Sequence, residues 1–306
     1  MLNPDEPFTE LRTAREHFLA LVAEARPDLH RYCARMTGSV SDGEDVVQDT
    51  LARAYFMLPE LPAMPELRPW LFRVAHNRAL DFLRRYERRM SEPLDADAPF
   101  VAEGPTTADD ALAGQQAVAA ALGRFLELPP VPRSCVILKD VLGHSLDEIA
   151  AQLELALPAV KAALHRGRER LRAPIEAAPG TPPGSASPSP IIARYIELFN
   201  ARDWDAVRAM LADDVRLDVV SRAQRRGRRE VGAYVNNYAN AHDWQLRSAW
   251  LGDREVIAVM REATATTAAY FVELTVDGER VKHIRDFRYV PYIATDAPLR
   301  FDAKEA

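Results

Sequence analysis

Hydrophobic positions fall into three blocks with different periods. Across 10–90 they recur at helical spacing. Phe18, Leu21, Val22 and Ala25 make one apolar face, and Leu29, Tyr32, Cys33 and Met36 another. Val46, Val47, Leu51 and Tyr55 mark the buried side of a further helix. After Pro59, Pro62, Pro65 and Pro69, a helix is predicted from about Trp70 into Arg85, with Leu71, Val74, Ala75, Leu80 and Leu83 inward. Ser41-Asp-Gly-Glu44 has capping-box spacing: the serine oxygen would satisfy an orphan N–H, and the glutamate would reach back to the cap.

The block 109–173 is also helical. Thr107 to Asp110 reads as an acidic capping box before a helix over about 110–127, which Pro129, Pro130 and Pro132 stop. A helix over Arg133–Leu142 should end at Gly143. Ser145 to Glu148 is another capping box. It opens a short helix with Leu146, Ile149, Ala150 and Leu153 inward. A turn follows, then a helix from about Pro158 to Arg172, with Val160, Leu164 and Leu171 inward. This is the pattern of a helix-turn-helix with a basic second helix.

The block 191–292 changes period. Helices are predicted at Ile191–Ala201, Trp204–Leu211 and around 228–240. Val215, Leu217 and Val219 alternate with polar residues, and strand runs follow at 246–251, 255–260, 268–276 and 280–290. Asp277-Gly278 between the last two is a strong hairpin signal. Helices on one face of a curved sheet are expected. Between the blocks, 91–108 is acidic and aperiodic, and 174–190 is rich in Pro, Gly, Ser and Ala. Both read as linkers, and 293–306 as a tail. The fold class is therefore multidomain: two all-α domains followed by an α+β domain.

Charge changes this picture by its distribution. A net charge of −6 argues against indiscriminate nucleic-acid binding. Locally, 68–90 carries seven arginines against Asp81 and Glu87, whereas 91–114 contains acids and no base. Lys161, Arg166, Arg168, Arg170 and Arg172 face only Glu169 across 161–172. Cys33 and Cys135 show no metal-ligand spacing and read as buried small hydrophobes, so neither a cofactor nor a metal is expected. The N-terminus has no apolar core of a leader, and no apolar run reaches the ~18 residues of a membrane span. A cytoplasmic protein without membrane contact is expected.

Asp45, Gln48 and Asp49 project from the polar side of their helix. Trp70, Phe72, His76, Asn77 and Arg78 precede Arg84, Arg85, Arg88 and Arg89. Aromatic and amide groups beside arginines suit unstacked bases and a single-strand backbone. The alternative is that Trp70 and Phe72 are core residues and the arginines a solvated helix end.

DGEDVVQDTLARAY, PWLFRVAHNRALDFLRR and LPPVPRSCVILKDVLGHSLDEIAAQLELALPAVKAALHRGRERLR resemble the second and fourth conserved regions of bacterial sigma factors. They look like the extracytoplasmic-function class, over roughly residues 10–173. The resemblance implies a factor that binds core RNA polymerase, at the β′ clamp and the β flap, and promoter DNA. It implies that Asp45, Gln48 and Asp49 dock on the β′ clamp helices. Trp70, His76, Asn77, Arg78, Arg84, Arg85, Arg88 and Arg89 would melt and read the minus-10 element, with Asn77 on an extruded base. Lys161, His165, Arg166 and Arg168 would read the minus-35 element. Relatives often begin that helix with Ser, Glu and Thr, and place Ser-Arg after the lysine. This chain has Ala156, Leu157, Ala159, Ala162 and Ala163 there, so unusual minus-35 readout is expected.

FNARDWDAVRAMLADDVRLDV, RRGRREVGAY and ERVKHIRDFR resemble the SnoaL-like cone of polyketide cyclases. Asp218, Tyr238, His242, Trp244, His283 and Asp286 are the candidate pocket residues. Three roles stay open: regulation of the sigma regions by intramolecular contact, small-molecule sensing, and cyclase or isomerase-type catalysis. The chain as a whole is not read as an enzyme.

Overall fold

The computed structural model describes residues 6–57, 66–91, 122–172, 189–235, 238, 244–252, 254–262, 265, 267–297 and 299–301, with only the backbone described at 6–17 and 87–91. These residues form two compact units, 6–91 with 122–172, and 189–301.

In the first unit, three long helices, α1 (Glu6–Thr37), α2 (Val40–Met57) and α3 (Leu67–Ser91), are followed by α4 (Pro130–Val136), a π-helical turn (Ile137–Val141), α5 (Leu146–Leu153) and α6 (Leu157–Arg172). The two apolar faces read before and after residue 27 belong to one continuous helix, α1, with Pro27 inside it. The two helical blocks do not keep separate cores. Leu29, Tyr32, Met36, Leu71 and Phe72 share one buried cluster with Cys135, Ile137, Leu138 and Ile149.

Of the two capping boxes that can be checked, one forms. Ser145 Oγ accepts from Glu148 N–H at 3.2 Å, and Glu148 Oε2 accepts from Ser145 N–H at 2.7 Å. At Ser41 the expectation fails, because α2 already starts at Val40 and buries both Ser41 and Glu44. Glu44 pairs with Arg26 instead, and Ser39 Oγ accepts from Asp42 N–H at 3.3 Å. Helix α2 lies so close to α1 that a Cβ on Gly43 would sit 2.5 Å from the Ala34 nitrogen, so only glycine fits there. The box at Thr107 and the linkers lie outside the described residues. Of the helix expected over 110–127, 122–126 is described and helical.

The second unit is a cone of helices on a curved sheet. Helices α7 (Pro190–Asn200) and α8 (Trp204–Ala209) lead into β1 (Leu211–Val219), β2 (Ala223–Arg226) and α9 (Arg228–Val235). Then come β3 (Gln245–Leu251), β4 (Arg254–Met260), β5 (Tyr270–Asp277), β6 (Arg280–Asp286), α10 (Tyr292–Asp296) and β7 (Leu299–Phe301). The seven strands lie in the order β2-β1-β6-β5-β4-β3-β7, with β1–β6 parallel and every other pair antiparallel. Ile192, Tyr195, Ile196 and Phe199 of α7 pack on the inner face, with Leu217, Ile257, Val259, Val272 and Ile284. Strands β2 and β7 were not expected. Every residue of β2 is exposed, so it shows no apolar alternation; β7 lies in the segment read as a tail, where it pairs with β3.

Both cysteines are buried and free, and burial pushes the Cys135 thiol up to about 11. Among the described residues, no helix is long and apolar enough to cross a membrane, and no cluster of His, Cys, Asp and Glu could hold a metal ion.

Candidate functional site

Positions 45, 48 and 49 lie one helical turn apart on α2, so their side chains share a face. Asp45 and Asp49 are exposed and Gln48 is half-buried. The face is not isolated from the basic helix beside it. Arg78 Nη1 of α3 lies 3.5 Å from Asp49, and Arg78 Nη2 is 2.8 Å from Asp81.

Helix α3 divides the residues expected on melted DNA. Asn77, Arg84 and Arg85 are exposed and Arg78 is half-buried, whereas the side chains of Arg88 and Arg89 lie outside the described residues. Trp70 and His76 are inside, at 8% and 7% exposure, and Phe72 is fully buried. For Trp70 and Phe72 the core reading is the one observed. The physical reason is periodicity: Leu67, Trp70, Leu71 and Val74, and beside them Phe72, Ala75, His76 and Ala79, recur at three- and four-residue spacing and give α3 a broad buried side.

What His76 meets there is a polar cluster. Tyr32 Oη is 2.8 Å and Ser134 Oγ 3.1 Å from His76 Nδ1, and the two hydroxyls are 3.0 Å apart. Ser134 also donates to the Met36 sulfur at 3.3 Å. Burial lowers the His76 pKa to about 4, so the ring is neutral at neutral pH, and its tautomer sets which of Nδ1 and the hydroxyls donates. Nearby, Arg133 is buried and donates to the carbonyls of Met36, Leu126 and Leu128. Phe72 makes an edge contact with His144, their ring centroids 4.9 Å apart. Arg73 donates to the Ala151 carbonyl at 3.0 Å and pairs with Glu154 at 3.1 Å. Thus α3 is joined to α4, to the loop after it and to the helix-turn-helix. Tyr32, Ser134 and His144 were missed in the sequence. The one visible signal was that each is polar within an apolar stripe.

In the helix-turn-helix, Glu154 takes φ 55° at the end of α5 and turns the chain into α6. Lys161, His165 and Arg166 are exposed on α6, and Val160, Ala163 and Leu164 are buried. Gly167 permits the closest approach to α4, since a Cβ there would lie 2.6 Å from Val136 Cγ2. Arg168 is half-buried and committed: its Nε and Nη2 bind the Asp140 carboxylate at 2.9 and 2.5 Å, and this bond raises its pKa. His165 Nδ1 lies 3.3 Å from Glu169. At the front of α6, Ala156, Ala159 and Ala162 are exposed, so methyl groups stand where the family's polar side chains would.

In the cone, the candidate pocket residues separate. Asp286 and Tyr238 line a cavity with Tyr195, Phe199, Tyr234 and Tyr270. Asp218 and His283 do not. Strand alternation turns Leu217 and Ile284 inward, and so turns Asp218 and His283 to the opposite face. Trp244 packs its ring against Tyr270, centroids 5.6 Å apart, and His242 lies outside the described residues. Asp286 Oδ2 accepts from Tyr234 at 2.9 Å and Tyr238 at 2.7 Å, and Oδ1 accepts from Arg288 N–H at 2.9 Å. Tyr238 and Tyr270 hydroxyls are 3.1 Å apart. Burial raises the Asp286 pKa and, with Asp286 close by, those of the three tyrosines. The cavity is about 30 Å³. A buried water needs at least ~10–15 Å³ on this scale, so the space has room for about two waters.

Residues 21–89 match the family model for Sigma-70 region 2, residues 120–171 that for Sigma-70 region 4, and residues 192–302 that for the SnoaL-like domain. The chain is similar to the ECF RNA polymerase sigma factor SigG of Mycobacterium tuberculosis, 31% identical over 62% of this chain and 58% of SigG. It is also similar to SigM of the same species, 32% identical over 47% of this chain and 69% of SigM. With SigW of Bacillus subtilis it shares 29% identity over 52% of this chain and 88% of SigW. A crystal structure of the M. tuberculosis extracytoplasmic function sigma factor SigJ matches 88% of this chain at 20% identity, with a TM-score of 0.36 that carries no argument. The chain thus spans under two thirds of SigG and most of SigW.

Proposed function

The chain belongs to the extracytoplasmic-function RNA polymerase sigma factors, and on that premise we propose that it binds core RNA polymerase and directs promoter recognition, melting and transcription initiation. The observation that carries this reading is one helical unit presenting three separate exposed sets. These are the acidic α2 face at Asp45 and Asp49, the α3 surface at Asn77, Arg84 and Arg85, and the α6 surface at Lys161, His165 and Arg166. An acidic face suits a basic coiled coil on the polymerase and speeds association. Asn77 offers an amide to the edge of an extruded base, whose unstacking costs a few kcal/mol. The alanine-fronted α6 leaves phosphate contacts to Lys161 and Arg166 and apolar contacts to thymine methyls. Trp70 and His76 act through packing, as supports for the α3 surface.

The test is co-purification of the full chain with core polymerase, and run-off transcription from fragments selected by the holoenzyme. Asp45→Lys with Asp49→Lys should reduce capture at least about tenfold, since each reverses a charge at a steered interface. Absence of capture of the unaltered chain would sink the reading.

For the SnoaL-like domain we propose control of the sigma regions in cis. A tether sets a high effective concentration, so weak contacts suffice. Truncation after Arg172 should change promoter choice or output in the same assay; unchanged transcription would remove the proposal.

A further inference from the structure

The most concentrated charge in the cone has no part in the cavity. Residues 222–229 contain five arginines, Arg222, Arg225, Arg226, Arg228 and Arg229, and no acid. All five are exposed. They occupy edge strand β2 and its flanks, including the first turn of α9.

The sheet register adds to them. Arg216 of β1 stands directly opposite Arg226, and the parallel partner of Arg216 on β6 is His283. Arg226, Arg216 and the half-buried His283 therefore lie in a row on the outer face, over neighbouring strands ~4.8 Å apart; burial lowers the His283 pKa, so the two arginines are the charged pair in it. Like charges directly opposite one another destabilise a sheet. A charged edge strand can serve only to block aggregation, but either sign does that, and an acid opposite Arg216 would do so while stabilising the pair. Of the nearby acids, Asp213 pairs with Arg228 of the cluster itself at 3.0 Å, Asp214 with Lys282 at 3.2 Å and Glu273 with Arg285 at 3.1 Å, while Asp218, on the same face as Arg216, lies close enough to His283 to act on its charge. Among the described residues, Arg216, Arg225, Arg226 and Arg229 make no ion pair.

We propose that this edge of the cone, with Arg216 and Arg226 on the outer face, Arg225 on the other face of β2 and Arg229 in the first turn of α9, is a docking surface for the phosphate backbone of duplex DNA. The guanidinium fork matches phosphate in two parallel hydrogen bonds, which lysine cannot do. The groups are spread rather than gathered in a cup: Arg222 and Arg226 stand four residues apart, ~13 Å along an extended strand, Arg216 lies one strand away at ~4.8 Å, and Arg225 projects from the other face of β2. That spread fits successive phosphates, not one small phosphorylated molecule. Single-strand binding calls for aromatic stacking platforms. The one exposed ring here, Tyr289, is covered by the Arg222 guanidinium at 4.6 Å. The choice of DNA among polyanions rests on the sigma-factor reading of this chain. Such a surface adds affinity without sequence preference and complements the alanine-fronted α6.

The test uses the full chain and a fluorescein-labelled 30-base-pair duplex of random sequence, with anisotropy followed from about 50 to 200 mM salt. Each phosphate contact contributes a slope of about −0.9 in log K against log salt. Arg225→Gln with Arg226→Gln and Arg229→Gln should flatten the slope by about 2–3 and weaken binding about tenfold or more. Arg194→Gln on α7 should change neither. An unchanged slope in the triple variant overturns the proposal, as does no binding of the duplex at the lowest salt. So does arginine-dependent binding of a synthetic peptide of the acidic residues 91–114 in place of the duplex. Loss of polymerase capture with retained arginine-dependent duplex binding would sink the sigma-factor reading alone.

Discussion

In the helical unit, Tyr32, His76 and Ser134 hydrogen-bond one another at 2.8–3.1 Å; in the cone, Tyr234, Tyr238 and Tyr270 gather around Asp286 at similar distances. Both clusters are buried, and both join segments far apart in sequence. They differ in what the central group does when it ionises. The imidazole is neutral in the fold, and gaining a proton would both charge it and leave both ring nitrogens as donors. Burial favours the protonated carboxyl of Asp286, whereas the Tyr234 and Tyr238 hydroxyls and the Arg288 N–H support its charged form. The same architectural device therefore carries opposite responses to acid.

The largest effect should come from stripping the carboxylate of its donors. Tyr234→Phe with Tyr238→Phe leaves Asp286 with the Arg288 N–H as its remaining hydrogen bond among those observed. Hydrogen bonds to a charged group are worth ~1.5–3 kcal/mol each, and an uncompensated buried charge costs several. A loss of about 3–5 kcal/mol is expected in the cone, read by urea unfolding with hydrogen exchange to assign the unit. The loss should shrink on acidification. Because folding raises the Asp286 pKa, the folded state holds the proton more tightly than the unfolded chain. Stability from that proton is complete below the ordinary carboxyl pKa of about 3.9 and is lost as pH rises through the raised value. A double variant equally destabilised at pH 7 and pH 5 would show that Asp286 does not govern the cone's acid response.

His76 should give the next effect, with the opposite sign. Its folded pKa of about 4 lies below the ordinary 6.5, so protonation favours the unfolded chain. Stability is complete above about 6.5 and is lost as pH falls toward 4. The shift corresponds to about 2 kcal/mol lost between pH 7 and pH 5 in the helical unit, within a total of about 3. His76→Gln should remove this dependence while leaving the cone's unchanged. Equal pH slopes in the variant and the parent would break the contrast.

Why one cluster was better read than the other is a matter of period. The helical blocks, the capping box at Ser145 and the helix-turn-helix were legible, because 3.6-residue spacing and cap chemistry are local. That the two blocks share a core was not, since nothing near Tyr32 in sequence announces Ser134, 102 positions away. His76 carried an aromatic-and-basic signature that equally describes a buried polar pair. In the cone, Asp286 and Tyr238 were found, but Asp218 and His283 were grouped with them although strand alternation places them on the other face. Strand β2 was invisible for the reason that makes it interesting: all its side chains face water.

The smallest effect is also the most discriminating. Tyr32→Phe removes one hydroxyl from the neutral cluster but leaves the Ser134 Oγ to His76 Nδ1 contact of 3.1 Å in place. No buried polar atom of the trio loses its last partner, so the cost is that of the two neutral contacts of the Tyr32 hydroxyl, to His76 Nδ1 and Ser134 Oγ, about 0.5 kcal/mol each at the low end of such bonds. The corresponding Tyr238→Phe change removes a donor from a carboxylate and should cost about 1.5–3 kcal/mol. Measured side by side by hydrogen exchange in the full chain at pH 7, each substitution removes a hydroxyl that also meets a second hydroxyl, Ser134 or Tyr270, and the main difference is the charge of the other partner. A Tyr32 loss equal to the Tyr238 loss would mean that Asp286 is already protonated at neutral pH. The carboxyl could then donate a hydrogen bond, and both clusters would be networks of neutral groups.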